Sequence, residues 1–226
     1  MKWVGRIRGV IWSRIRDGSW RYSVGTRAYD ALSGEWPVYR VGRVAAVNGL
    51  DLWPGARVLD LCCGTGLNFA LLQEQIGPTG RLVGVDASPF MVARAEERVV
   101  RAGWSNVELM EADVRWLASV VGGNDFDAVI ATYALSIVPE PECVWRQALA
   151  LLRPRGRAAI VDLGLPSGLG IVWWPLARFA CWAGGADPLR APWRMVDRDL
   201  TAIAAEVHRA GHVVVRVGER SGDRRG

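Results

Sequence analysis

A short glycine turn between a predicted strand and a predicted helix is the first feature of the chain that indicates ligand chemistry. The apolar run at 57–61 is typical of a buried parallel strand, and Gly64 and Gly66 interrupt it before the apolar, helix-forming segment 67–76. A strand, a tight turn and a helix together place free backbone N–H groups at a helix N-terminus. Asp60, near the strand end, adds a carboxylate just below that turn.

Polar side chains also follow the next predicted strands. Asp86 ends the second strand, Asp113 follows the third, and Thr132 and Tyr133 follow the fourth. In a doubly wound sheet, ligands bind beyond the carboxyl ends of the strands. A single carboxylate there is usually a cap or a turn former. Three carboxylates on successive strands, beside one glycine turn, instead predict a shared ligand site.

Two nucleotide-binding patterns compete for this turn. A dinucleotide fingerprint needs Gly-x-Gly-x-x-Gly, and the third position counted from Gly64 holds Phe69. The nicotinamide oxidoreductase hypothesis is therefore disfavoured, and no Tyr-Lys or histidine arrangement supports it. An acidic residue followed closely by glycines suits a ligand that lacks a pyrophosphate and carries a cationic amino-acid end. The stretch Asp-Leu-Cys-Cys-Gly-Thr-Gly at 60–66 resembles motif I of the class I S-adenosylmethionine (SAM) dependent methyltransferases.

The resemblance extends over residues 54 to 164 and implies S-adenosyl-L-methionine as the cofactor. It implies that Asp60 lies at the methionine end, that Asp86 holds the ribose hydroxyls, and that Asp113 accepts a hydrogen bond from the adenine amino group. One departure is Cys62, which stands where the family usually has its first glycine, so its backbone must avoid a glycine-only conformation. The cofactor-binding residues implied by the resemblance are Asp60, Cys62, Gly64, Thr65, Gly66, Asp86, Ala87, Asp113, Val114 and Thr132.

A looser resemblance concerns the acceptor. Residues 132–139 read Thr-Tyr-Ala-Leu-Ser-Ile-Val-Pro, an apolar segment follows Asp162, and a Tyr-Asp pair occurs at 29 and 30. These features resemble the small lipid and quinone methyltransferases, in particular the bacterial phosphatidylethanolamine N-methyltransferase-like group. The resemblance implies methyl transfer to an apolar or amphipathic small molecule or lipid. The alternatives are a natural-product or quinone methyltransferase, and a catalytically silent SAM-binding regulatory protein, which Cys62 would favour.

Tyr133 is the candidate catalytic residue. SAM carries its own leaving group, so the protein needs mainly to align the acceptor and exclude water, and orientation can supply about 7–11 kcal/mol. Tyr133 follows the fourth strand, where the methyl group would emerge, and we expect it to face the acceptor. The competing interpretation is a tyrosine that packs under the N-terminal segment. No histidine is expected near the strand ends.

Alternation of strands and helices predicts a single α/β domain with a doubly wound, mostly parallel, Rossmann-like sheet and helices on both faces. The expected parts are an N-terminal helical cap at 1–50, a SAM-binding core at 54–164, and an aromatic-rich cap with a final helix and strand at 165–220. Ser88 is expected to cap a helix with Pro89 at its first position. Further predicted elements are helices at 35–50, 139–152 and 195–209, a turn at 153–156, and strands at 81–85, 106–110, 126–131, 158–163 and 212–217.

Two segments outside the core suggest contact with lipid. Residues 3–15 place apolar side chains at helical spacing beside basic ones, as in helices that lie on anionic membranes or pack on their own domain. Trp173, Trp174 and Trp182 surround Arg178 and form an aromatic cap, a lipid-accepting surface or a dimer interface. The expected partner is a small-molecule or lipid acceptor, with peripheral membrane contact through these segments; the oligomeric state is left open.

Composition excludes several other classes. The net charge of +5 is spread along 226 residues, and no Asn-Pro-Pro-Tyr type motif follows the fourth strand, so no nucleic-acid partner is expected. The four cysteines form no Cys-x-x-Cys pair, and His208 and His212 lack a third ligand nearby, so no metal site is expected. Arginines interrupt the apolar start of the chain, which argues against a secretory signal and predicts a cytoplasmic protein. If residues 3–15 and the segment around Trp173 and Trp182 bind lipid, the protein would be in peripheral contact with the membrane.

Overall fold

The computed structural model describes residues 38–123, 125–166, 187 and 189–222. The predictions for the basic helix at 3–15, for the Tyr-Asp pair at 29 and 30, and for the aromatic segment around Trp173 and Trp182 lie outside these residues. Within the described part, no helix is long and apolar enough to cross a membrane.

Strands and helices alternate through most of the described chain. The strands are β1 (Arg57–Leu61), β2 (Arg81–Asp86), β3 (Val107–Glu111), β4 (Phe126–Thr132), β5 (Leu152–Leu163), β6 (Thr201–His208) and β7 (Val213–Glu219). The helices are α1 (Arg40–Leu50), α2 (Phe69–Ile76), α3 (Pro89–Ala102), α4 (Leu117–Val120), α5 (Pro141–Leu151) and α6 (Arg194–Asp199). Short 3-10 turns occupy Val114–Trp116 and Arg209–Gly211.

One seven-stranded sheet has the order β3-β2-β1-β4-β5-β7-β6. The first five strands are parallel, whereas β7 runs antiparallel to both β5 and β6. The parallel strands β1 and β4 are almost entirely buried, as expected for a sheet covered on both faces. The prediction of a doubly wound, mostly parallel sheet is confirmed.

Two apolar layers cover the sheet. On one face, Trp145 of α5 packs with Phe126 and Leu117. On the other face, Phe69 of α2 packs with the α1 residues Val47 and Leu50. Helices therefore lie on both faces and hold the carboxyl ends of the strands in place.

Local signals in the sequence account for several element boundaries. Ser88 caps α3 as predicted, since its hydroxyl accepts a hydrogen bond from the Met91 N–H at 3.5 Å, and Pro89 is the first helical residue. Helix α2 begins at Phe69, two residues after the start of the predicted segment 67–76, because the glycine turn continues through Asn68.

The predicted helix at 195–209 is wrong beyond its first turn. Helix α6 ends at Asp199, and residues 201–208 form the edge strand β6. Arg209 and Ala210 adopt positive φ angles of 50° and 54°, which reverses the chain and lets β6 pair along β7. Pairing with a distant strand outweighs the local helix propensity of this alanine-rich stretch. The predicted turn at 153–156 lies inside β5, where the pairing with β4 shifts register.

Candidate functional site

The glycine turn after β1 is held open by three residues with left-handed backbone. Gly64 and Gly66 have φ angles of 57° and 78°, and Cys62 has a φ of 51°. A Cβ built on Gly64 would meet no atom within 4 Å, so open space lies in front of this residue. Cys62 thus lies in the left-handed region, which a residue other than glycine can adopt at a cost on the order of 1–3 kcal/mol of backbone strain.

Phe69 explains why the turn is not a dinucleotide fingerprint. Its ring lies 2.6 Å from a Cβ built on Gly66 and 3.0 Å from one built on Gly84 of β2. The ring therefore fills the space that a third glycine would leave for close approach of helix and strand. The side chain is fully buried and is part of the core between α2 and the sheet.

Asp86 links the second strand to the glycine turn. One carboxylate oxygen accepts a hydrogen bond from the Gly64 N–H at 2.9 Å, and the other accepts from the Ser88 N–H at 2.9 Å. Burial raises the pKa of Asp86, while these two backbone hydrogen bonds lower it. Asp86 is partly exposed and Ala87 beside it is exposed, so both border the open space over the turn.

Asp60 lies beneath the turn and is fully buried. The Asn68 side-chain amide donates to both of its oxygens at 3.0 Å and also to the Thr132 hydroxyl at 3.1 Å. Burial raises the pKa of Asp60 to about 7, opposed by the Asn68 hydrogen bond and by the charge of Arg43. The Asp60 carboxylate is therefore connected to the residues around the turn through the Asn68 amide.

Arg43 joins this network from helix α1. Its guanidinium donates to the Asn68 side-chain oxygen at 3.0 Å and to the Thr132 hydroxyl, and it lies 5.1 Å from the centre of the Tyr133 ring. Arg43 and Asn68 were not identified from the sequence. No sequence motif marked them, because their contact depends on how α1 lies over the sheet.

Asp113 and Val114 are placed differently from the other predicted residues. The Arg115 side chain binds the Asp113 carboxylate through Nη2 at 2.6 Å and Nε at 2.9 Å, and the Arg115 N–H adds a hydrogen bond at 2.9 Å. These hydrogen bonds and the charge of Arg115 hold the pKa of Asp113 below its ordinary value despite the opposing effect of burial. Val114 is 4% exposed and packs in the core, so its backbone is the part that can reach a cofactor.

Tyr133 lies at the positive φ of 57° directly after β4. Its hydroxyl donates to the Tyr39 carbonyl at 2.7 Å, and the two rings are 5.1 Å apart. A Cβ built on Gly42 would lie 2.4 Å from that hydroxyl oxygen, which shows how closely α1 covers it. This geometry favours the interpretation in which Tyr133 packs under α1, and the residue remains partly exposed.

Asp162 anchors the rest of the loop after β4. Its carboxylate accepts hydrogen bonds from the Ser136 hydroxyl at 2.7 Å, the Ser136 N–H at 2.9 Å and the Leu163 N–H at 2.8 Å. The side chain is fully buried, and burial raises its pKa against the effect of these bonds. The loop that carries Tyr133 is thereby fixed to the end of β5.

One histidine does lie at the strand ends, against expectation. Because β7 runs antiparallel, its first residue Val213 pairs with Leu163 at the end of β5, and His212 precedes it at the same edge. The imidazole is 8% exposed and its centroid is 6.0 Å from that of the Tyr39 ring. The sequence pattern located the strand but not its direction.

The residues gathered at this edge fit an adenosyl sulfonium amino acid. The open turn at Gly64 admits backbone contact, and the Asp86 carboxylate at its rim is a hydrogen-bond acceptor of the kind that ribose hydroxyls need. No group of three or more histidine, cysteine or acidic side chains able to hold a metal occurs within residues 38–123, 125–166 and 189–222.

Comparison with known proteins agrees with this geometry. The family model described as a methyltransferase domain matches residues 52–172, more than half of the chain. The chain therefore belongs to the methyltransferase-domain family, and its fold and cofactor are those of the class I SAM-dependent methyltransferases.

Similar proteins of named activity include two quinone methyltransferases. A 2-phytyl-1,4-naphtoquinone methyltransferase of Thermosynechococcus vestitus is 34% identical over 142 residues, which cover 61% of this chain and 60% of that protein. A demethylmenaquinone methyltransferase of Listeria monocytogenes is 35% identical over 113 residues, covering 50% and 47%. An arsenite methyltransferase of Halobacterium salinarum is 34% identical over 110 residues, covering 49% and 28%. The matched region thus spans 28% to 60% of the length of these relatives.

Solved structures show the same fold at low sequence identity. An O-methyltransferase family protein from Burkholderia thailandensis has a TM-score of 0.66 at 20% identity, over 90% of this chain and 63% of that one. A SAM-dependent methyltransferase from Aquifex aeolicus has a TM-score of 0.61 at 17% identity, over 86% and 98%.

Proposed function

We propose that the protein transfers a methyl group from SAM to an apolar or amphipathic small molecule, with an acceptor of the quinol type favoured. The observation that carries the acceptor class is the similarity to two quinone methyltransferases, at 34% and 35% identity over half or more of this chain. The site is compatible with such an acceptor, since tyrosine rings and apolar side chains line the ends of β4 and β5.

SAM would be held along the ends of β1, β2 and β3. The backbone at Gly64, Thr65 and Gly66 would follow the methionine and sulfonium end, while Asp86 and Ala87 would border the ribose. Asp60 would act from below, through Asn68 and Thr132. When bound, SAM supplies an electrophilic methyl group on a positively charged sulfur.

Adenine recognition is proposed to run through Asp113 together with Arg115. Each Asp113 oxygen already accepts hydrogen bonds from Arg115, so the adenine amino group must share or displace one of them. The backbone of Val114 would contact the ring edge, because its side chain is in the core.

Alignment and exclusion of water are the main contributions of the protein to the rate. Reactants held in a productive orientation gain about 7–11 kcal/mol in model reactions. Here the loop after β4 sets that orientation, since Ser136 fixes it to Asp162 and the Tyr133 hydroxyl fixes it to the Tyr39 carbonyl. We propose that the Tyr133 ring borders the acceptor and that its hydroxyl holds the loop.

Two other acceptors and one non-catalytic function are distinguished by the same assay. A phospholipid acceptor is supported by the sequence at 132–139, and contact with anionic membranes through the segment 3–15 would accompany it. Arsenite is the substrate named for one relative. Cys62 and Cys63 pack into the layers on opposite faces of the sheet, which is unsuitable for joint binding of a thiol-seeking ion. A silent SAM-binding regulator would bind the cofactor without turnover.

Labelled SAM tests the proposal when it is incubated with purified protein and, separately, demethylmenaquinol, phosphatidylethanolamine vesicles and arsenite. Transfer to the quinol is the expected result, with SAM affinity measured in parallel by calorimetry. Tyr133→Phe should slow transfer while leaving SAM affinity unchanged, because the loop loses its tie to Tyr39. SAM binding without label in any acceptor would contradict the proposed function and favour the regulatory alternative.

A further inference from the structure

His212 lies at the sheet edge where β4 and β5 end, which is where the proposed acceptor would bind. It lies two strands from β4, since the sheet order is β4-β5-β7, which is about 10 Å across the sheet edge. Tyr39 lies between it and the loop after β4: the Tyr39 ring is 5.1 Å from the Tyr133 ring and 6.0 Å from the imidazole. An aromatic acceptor that lay along the Tyr133 and Tyr39 rings would extend toward His212.

The imidazole is held in one tautomer by β5. Its Nδ1 lies 3.1 Å from the Gly164 carbonyl oxygen. A carbonyl oxygen accepts only, so Nδ1 carries the proton and donates it, which leaves the lone pair of the neutral ring on Nε2. The Gly164 N–H also donates to the His212 carbonyl at 3.0 Å, so two hydrogen bonds fix this residue to the end of β5.

Burial keeps the ring neutral at physiological pH. It lowers the pKa of His212 below its ordinary value, and the Gly164 hydrogen bond opposes this effect. The elements around the ring carry Asp162 on β5, Arg43 on α1 and the tyrosines Tyr39 and Tyr133. Asp162 is engaged by Ser136 and Leu163, and Arg43 by Asn68 and Thr132.

We propose that His212 is the general base that accepts the proton of a hydroxylated aromatic acceptor through Nε2. The acceptor O–H bond breaks and its proton moves to Nε2. The released electron pair forms the bond to the methyl carbon, at oxygen or through the ring at the adjacent carbon. The sulfur keeps the electron pair of the broken S–C bond, and the imidazolium returns its proton to water. For attack through carbon, the ring proton leaves to water as aromaticity is restored, and the oxygen takes back one proton to become a hydroxyl again, so one proton is released per methyl group transferred.

The inference rests on the proposed quinol-type acceptor and restricts the acceptor to molecules with an aromatic hydroxyl group that can lose its proton. A phosphate ester or a trialkylated amine has no hydroxyl proton to lose, so it would gain nothing from a base at this position. Methylation of a phenolic or hydroquinone hydroxyl would be faster with such a base, because general base catalysis typically contributes about 100-fold or more to the rate.

His212→Asn is the informative variant. The asparagine amide can keep the hydrogen bond to the Gly164 carbonyl, because its nitrogen takes the place of Nδ1, but it has no basic nitrogen. His208→Asn is the matched control, since His208 is on the edge strand and pairs with Glu206 at 3.0 Å. The measurements are the pH dependence of kcat/KM with a quinol acceptor, SAM affinity by calorimetry, and the imidazole tautomer from two-bond proton–nitrogen NMR correlations.

The expected result is a wild-type rate that falls as pH drops through a pKa below 6.5, together with an Nδ1–H tautomer. In His212→Asn the fall in rate at low pH should disappear and kcat should be lower by about 100-fold or more, with SAM affinity unchanged. The control His208→Asn should have the rate and pH profile of the wild type. If the wild type turns over and His212→Asn has the same rate and pH profile, the role of His212 is overturned while the proposed function stands. An Nε2–H tautomer would also overturn the role of His212. Absence of wild-type transfer to every acceptor would overturn the proposed function as well.

Discussion

Replacing Asp60 by asparagine removes the fully buried carboxylate beneath the glycine turn. Burial raises the pKa of Asp60 from 3.8 to about 7, whereas in the unfolded chain it returns to its ordinary value. The folded state therefore binds more protons than the unfolded state between those two values. Stability must then fall as pH rises through this window and level off above it.

The size of the effect follows from the same pKa values. Between about pH 5 and about pH 7 the wild type loses roughly 1.7 pK units of stability, which is about 2 kcal/mol. Asp60→Asn has no proton to lose, and asparagine can still accept a hydrogen bond from the Asn68 amide. The raised pKa values of Asp86 and Asp162 are common to both proteins and cancel in the difference.

Urea unfolding measures this difference directly. The free energy of unfolding of wild type and Asp60→Asn is compared across that pH range, followed by tryptophan fluorescence. The two proteins should be within about 1 kcal/mol at the acidic end, and the variant should gain about 2 kcal/mol relative to the wild type at the neutral end. Parallel pH profiles would refute the reasoning, because they would show that Asp60 is ionised in the folded protein.

Two further predictions concern backbone and packing. Gly42→Ala places a Cβ 2.4 Å from the Tyr133 hydroxyl and 2.7 Å from Val161. Thermal unfolding should therefore show a net loss of stability of about 1–2 kcal/mol, although alanine has the better helix propensity. The control Asn48→Ala, on the exposed side of α1, should have a stability within about 0.5 kcal/mol of the wild type. Equal stability of both variants would show that α1 is not packed closely on the loop. Cys62→Val should destabilise the protein by about 2 kcal/mol, because a β-branched residue tolerates the φ of 51° poorly. Cys62→Gly should have a stability within about 1 kcal/mol of the wild type. If urea unfolding showed Cys62→Gly to be the less stable variant, the left-handed backbone at this position would be contradicted.

Local signals made much of the fold predictable. Strand β1, the Ser88 cap and the glycine turn each depend on residues adjacent in sequence, and the structure has them where the sequence placed them. Strand β6 was not predictable in this way. Its residues favour a helix locally, and they form a strand because β7 offers an antiparallel partner.

The site residues also fall into two groups, those that local sequence signals predicted and those that depend on tertiary packing. The contact between Asp86 and the Gly64 N–H joins two motifs whose strands were expected to be neighbours. The contributions of Asn68 and Arg43 could not be foreseen, because they depend on how α1 lies over the sheet. His212 was missed because the reversed direction of β7, a tertiary property, brings its first residues to the ligand edge.

Calorimetric titration with SAM tests the central claim that the turn at Gly64 and the carboxylate of Asp86 form the cofactor site. Wild type should bind SAM, and Asp86→Asn should bind about 10-fold or more weakly, since hydrogen bonds to a charged group contribute about 1.5–3 kcal/mol. Glu108→Gln, an exposed carboxylate of β3 paired with Arg81, should bind as the wild type does. Absence of binding by a wild-type protein whose circular dichroism shows an intact fold, or equal binding by Asp86→Asn, would contradict the assignment.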